Sequence, residues 1–77
     1  MAAIVYFRKI VETAEFAEYE FGDDPDNFVR RMTMDKASCT SAVEDGQVDY
    51  TFLKASRKIN AVHTERGAWP DRGMSVS

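Results

Sequence analysis

Between Ile4 and Asp35 the chain carries apolar side chains on both faces of the sheet its strand-like segments would form, yet it supplies one helix to cover them. A sheet in water needs one buried face, and a second apolar face calls for a partner. Residues 3–11 are dense in β-branched and aromatic types. Residues 14–21 end in alternation, with Ala17, Tyr19 and Phe21 set against Glu18 and Glu20. The run Gly22 to Asn27 is rich in turn formers. Phe28 to Asp35 alternates again, Met32 and Met34 against Arg31, Thr33 and Asp35.

A meander follows. Pairing Phe21 with Phe28 sets Ala17 opposite Met32 and Glu18 opposite Arg31, a favourable cross-strand pair. A tight turn at Glu12-Thr13 sets Tyr6 opposite Tyr19. One face then holds Ile4, Tyr6, Ile10, Ala17, Tyr19, Phe21, Phe28, Met32 and Met34. The other holds Val5, Phe7, Val11, Phe16 and Val29 among Lys9, Glu18, Glu20 and Arg31. A slip of one residue in any pairing exchanges the faces of that strand.

The clearest element lies further on. Asp49 is a good N-cap, and Phe52, Ala55, Ile59 and Val62 recur at helical spacing, with Leu53 and Ser56 widening the stripe. Arg66 suits the negative end of the dipole, Gly67 suits a left-handed C-terminal residue, and Pro70 prevents continuation. The fold expected is α+β: a three-stranded antiparallel meander, with room for a fourth short strand at Ser38–Val43, and one C-terminal helix packed on one face. Residues 1–77 form a single small domain, and residues 68–77 read as an irregular tail from which Trp69 packs back or anchors a partner.

Size sharpens the need for a partner. A chain of 77 residues buries only about 60 % of the surface it exposes when unfolded. Such domains usually gain stability from disulfides, a metal or oligomerisation. One cysteine, Cys39, allows no internal disulfide, and with one histidine, His63, it falls short of the four ligands of a closed zinc site. No metal and no cofactor are expected. The lone thiol fits a reducing cytoplasm. The opening Met-Ala-Ala-Ile-Val-Tyr-Phe-Arg has no basic stretch before its apolar run, unlike a signal peptide, and no segment reaches membrane-spanning length.

No catalytic constellation stands out. Cys39 and His63 are the one Cys-His pair, set in a loop and late in the helix. Glu15, Glu18 and Glu20 have the spacing of a solvated strand side, and Asp23, Asp24 and Asp26 that of a turn without the glycine and glutamate of a calcium loop. Two binding readings remain. A non-enzymatic interaction module would form a homodimer or dock on another protein through Val5, Phe7, Val11, Phe16, Val29 and Trp69. A nucleic-acid-binding regulator would use Lys54, Arg57 and Lys58, against a net charge of −3 that disfavours general phosphate binding.

Overall fold

Thr13, Ala14 and Glu15 turn the first strand into the second. The Thr13 amide donates to the Phe16 carbonyl, and the Thr13 hydroxyl accepts from the amides of Glu15 and Phe16. The structure, a computed structural model, describes residues 4–76. Its elements are β1 (Ile4–Glu12), β2 (Phe16–Gly22), β3 (Arg30–Asp35), β4 (Thr40–Val43), α1 (Tyr50–Arg66) and β5 (Arg72–Val76). The strands make one sheet in the order β4-β3-β2-β1-β5, every pair antiparallel. The class is α+β with a single helix on one face, and the sheet has five strands rather than three or four.

The longer turn and a bulge between Lys9 and Val11 shift β1 relative to the pairing expected from sequence. Phe7 lies opposite Phe21, and Tyr6 lies opposite Gly22, not Tyr19. From Ile4 to Lys9, odd residues of β1 therefore share a face with odd residues of β2, and past the bulge Val11 lies with Glu18 on the other face. Val5 and Phe7 enter the core, while Ile4 and Tyr6 turn to the uncovered side. In β3 the displacement is two residues, which preserves faces. Tyr19 opposes Met32, and Glu20, not Glu18, opposes Arg31. The cause is Phe28, which stays outside the sheet in a loop tightened by Asp24, whose carboxylate accepts from the Asp26 amide.

The core contains Val5, Phe7, Ala17, Tyr19, Phe21, Met32 and Met34 from the sheet and Phe52, Ala55 and Ile59 from the helix. Phe7 meets Tyr19 edge to face at 5.9 Å between ring centres, and Phe21 leans on Phe52 at 6.0 Å. Helix caps follow the sequence: the Asp49 carboxylate accepts from the Phe52 amide, and Gly67 ends the helix at φ 73°. Ser56 faces inward and its hydroxyl meets that of Ser41 at 2.6 Å, joining helix to β4. Val62 is only half-buried and Leu53 is exposed.

The tail departs most from expectation. Residues 72–76 form β5, an edge strand paired along β1, with Phe7 opposite Gly73 and Tyr6 opposite Met74. Glycine and serine at alternate positions weaken the local strand signal, and pairing to a strand nearly seventy residues earlier overrides it. The connection from helix to β5 is fastened by the Tyr19 hydroxyl, which donates to the Pro70 carbonyl at 2.6 Å, and by Trp69, whose indole stacks on His63 at 3.9 Å. Among the described residues, no helix is long and apolar enough to cross a membrane.

Candidate functional site

The helix covers one face of the sheet, so the other face is the first candidate surface. Its composition follows from the register, row by row across the strands. Ile4 lies beside Val76, and Tyr6 beside Met74. Arg72, Arg8, Glu20 and Arg31 form the next row. Val11, Glu18, Thr33 and Ala42 form another, and Phe16, Asp35 and Thr40 the last. The face thus has an apolar corner at β1 and β5, a charged middle, and two further apolar side chains at Val11 and Phe16.

At the apolar corner Ile4 is 37 % exposed, Met74 51 % and Val76 59 %. Beside them Tyr6, Arg8, Pro25, Phe28, Arg72 and Met74 line an open cleft of about 360 Å³. The Arg8 guanidinium lies over the Phe28 ring, 5.4 Å from its centre, and also meets the Glu20 carboxylate. Arg31 approaches Glu18 diagonally at 3.8 Å. In both pairs the arginine is exposed and the glutamate is largely covered.

Of the residues expected from sequence to form this surface, Val11 and Phe16 lie on it and are exposed. Val5 and Phe7 do not: they sit under the helix at 3 % and 2 % exposure, because the bulge between Lys9 and Val11 reverses the part of β1 that precedes it. Val29 precedes β3 and is 76 % exposed in the loop. Trp69 is half-buried against His63, on the connection into β5. Ile4 and Tyr6, expected on the helix-covered face, stand here instead, beside Met74 and Val76 from the segment expected to be irregular. For Met74 and Val76 the sequence signal is a weak one, their alternation with Gly73 and Ser75.

The basic helix residues make a second surface. Lys54, Arg57 and Lys58 surround a groove with Tyr50, Leu53 and Ser75, about 480 Å³ in volume, between the helix and the outer strand β5. The ammonium of Lys54 lies 5.6 Å from the centre of the Tyr50 ring.

The groups with displaced protonation are structural fasteners. Glu12 receives Lys36 at 2.6 Å and Lys9 at 2.5 Å, and these two cations pull its pKa down to about 2. Lys9, raised chiefly by Glu12, also reaches the Asp71 carboxylate at 2.9 Å and so ties β1 to the tail. Burial, with Glu12 and Asp71 nearby, raises Tyr19 and keeps its hydroxyl a donor. Arg30 bonds Asp45, Asp49 and the Gln47 carbonyl while lying 4.8 Å from the centre of the Phe21 ring. Arg30 is the first cause of the lowered pKa of Asp45, and the Phe52 amide, then Arg30, of that of Asp49. None of these groups lines the cleft at the apolar corner or the groove beside β5.

A pH dependence follows. A carboxylate whose folded pKa is lowered adds stability that is present above its unfolded pKa and lost as pH falls through the folded one. Glu12 places that loss between pH 4.5 and about 2, and Asp45 and Asp49 act in the same direction. Melting temperature should fall across this range, and Glu12→Gln should start lower at neutral pH and fall less steeply. Identical acid limbs for the two proteins would show that the Lys36–Glu12–Lys9 cluster contributes nothing.

Cys39 and His63 are engaged separately. The Cys39 thiol faces the Lys36 carbonyl in the β3–β4 turn, and His63 carries the Trp69 ring. Among the described residues, no group of three or more His, Cys, Asp or Glu side chains is arranged to hold a metal ion. Comparison with known proteins finds no matching family model, no matching curated protein and no matching solved structure.

Proposed function

We propose that the chain is a non-enzymatic interaction module whose uncovered sheet face seats a second copy of itself. The observation that carries this reading is the apolar corner, where Ile4, Met74 and Val76 stand exposed side by side. Contiguous apolar surface of this kind is usually an interface. The charge pattern favours a second copy as occupant. Arg8, Arg31 and Arg72 are balanced on the same face by Glu18, Glu20 and Asp35. A face with equal charges of both signs is complementary to itself, as a two-fold interface requires. A strongly acidic or basic partner would gain nothing from it. The groups with displaced pKa values fasten the tail and the helix, which supports a scaffold rather than a catalyst.

Light scattering at micromolar concentration should report a dimer. Met74→Glu puts an uncompensated carboxylate at the seam and should weaken association by about 3 kcal/mol, more than a hundredfold. Phe16→Lys should act in the same direction. Both positions are exposed, so the circular dichroism of each variant should match the parent. A parent protein that stays monomeric at every accessible concentration overturns the homodimer. A dimer that Met74→Glu leaves intact moves the interface to another surface.

A further inference from the structure

The outer edge of β5 and the groove above it form a second docking surface, which adjoins the apolar corner at Met74 and Val76. Among the described residues, β5 stands at the end of the sheet and pairs along one side only, with β1. Its other edge therefore offers amide donors and carbonyl acceptors to an incoming strand. On the helix side of that edge the strand presents Gly73 and Ser75, both small. Ser75 lines the groove bounded by Leu53, Lys54, Arg57 and Lys58, and Gly73 receives the Phe7 ring. On the opposite side the edge presents Met74 and Val76.

We propose that this edge binds an extended segment of a partner protein, added as a sixth strand, with acidic residues at alternate positions and apolar residues between them. The alternation follows from strand geometry, in which successive side chains point to opposite faces. Side chains of the added strand directed toward the helix meet Lys54, Arg57 and Lys58. Glu65 is the one acidic residue in the helix, near its far end, so the groove has no acid of its own to compete. Side chains directed the other way extend the apolar row of Met74 and Val76. Main-chain bonding would provide affinity and the alternating pockets specificity. With five residues in β5, the matching segment is about five to six residues long.

A nucleic acid fits the groove less well, although the same three cations would attract it. Phosphates supply acceptors for amides and ammonium groups but no donors for the edge carbonyls. Leu53, Met74 and Val76 also flank the edge with apolar surface that a sugar-phosphate backbone does not use.

The experiment is a titration of the intact chain with a short labelled peptide of alternating glutamate and valine, followed by fluorescence polarisation. Three controls accompany it: the lysine–valine analogue, the glutamate–valine peptide N-methylated at alternate amides, and a single-stranded oligonucleotide. The acidic peptide should bind, and binding should weaken as salt rises. Arg57→Glu/Lys58→Glu, both exposed positions, should weaken it by about tenfold or more. N-methylation should cost a similar factor through the lost main-chain bonds. Equal binding of the lysine peptide, indifference to N-methylation, or no binding of the acidic peptide overturns the proposal. Tighter binding of the oligonucleotide overturns it in favour of nucleic acid. The result stands apart from the homodimer, because charge reversal in the groove should leave the light-scattering mass unchanged.

Discussion

Phe7→Ala should cost about 3–5 kcal/mol, while Tyr6→Ala should cost less than about 1 kcal/mol. The ring of Phe7 is 2 % exposed, meets Tyr19 edge to face and lies against Gly73. Removing it takes away the transfer energy of the ring and leaves a cavity between the edge strand and the centre of the sheet. A loss of that size is comparable to the whole stability of a domain this small, so the variant should be largely unfolded at room temperature. Tyr6, one position earlier, lies on the face without the helix and keeps solvent beside it. Urea unfolding followed by circular dichroism measures both differences. The contrast between neighbours is the informative part, since it tests the direction of β1 rather than a general sensitivity to truncation. A tolerated Phe7→Ala beside a ruinous Tyr6→Ala would mean that β1 is reversed.

The same pair of residues shows what the sequence can and cannot specify. In β2, Ala17, Tyr19 and Phe21 alternate with glutamates, and in β3 the methionines alternate with charged residues and threonine. Their buried faces were legible because only one assignment hides the apolar set. In β1, Ile4, Val5, Tyr6 and Phe7 are apolar in succession, and both assignments hide a good hydrophobic row. The choice then rests on the bulge at Ile10, where the pairing with β2 shifts by one residue. The helix was legible to its caps because Asp49 and Gly67 act locally. β5 was not, because glycine and serine carry little strand preference and its partner is remote in sequence.

Legibility of the candidate surfaces followed the same division. The basic cluster at Lys54, Arg57 and Lys58 comes from helical spacing and lies around one groove, as that spacing implies. The strand that forms the far wall of the groove could not be read, so the cluster lacked its most informative neighbour. The uncovered face kept Val11 and Phe16 from the expected set and exchanged Val5 and Phe7 for Ile4 and Tyr6, a direct consequence of the one-strand reversal.

Gly73 carries the second large effect. A Cβ built there would lie 2.8 Å from Cζ of Phe7 and 3.3 and 3.4 Å from its two Cε atoms. The ring cannot swing aside freely, because the Tyr19 ring packs against it. Alanine normally suits a strand better than glycine, yet at this position that gain is outweighed by overpacking. Gly73→Ala should lose about 1–3 kcal/mol, and Gly73→Val should lie at or beyond the upper end. The cause is one contact, so a smaller partner should relieve it. In a Phe7→Leu background the alanine should cost much less, with a coupling of about 1 kcal/mol or more in the double-mutant cycle. Gly22 provides the control: it is buried, but a Cβ there meets nothing within 4 Å, so Gly22→Ala should change stability by no more than about 0.5 kcal/mol. If Gly73→Ala is as stable as the parent and the cycle shows no coupling, β5 does not press on Phe7.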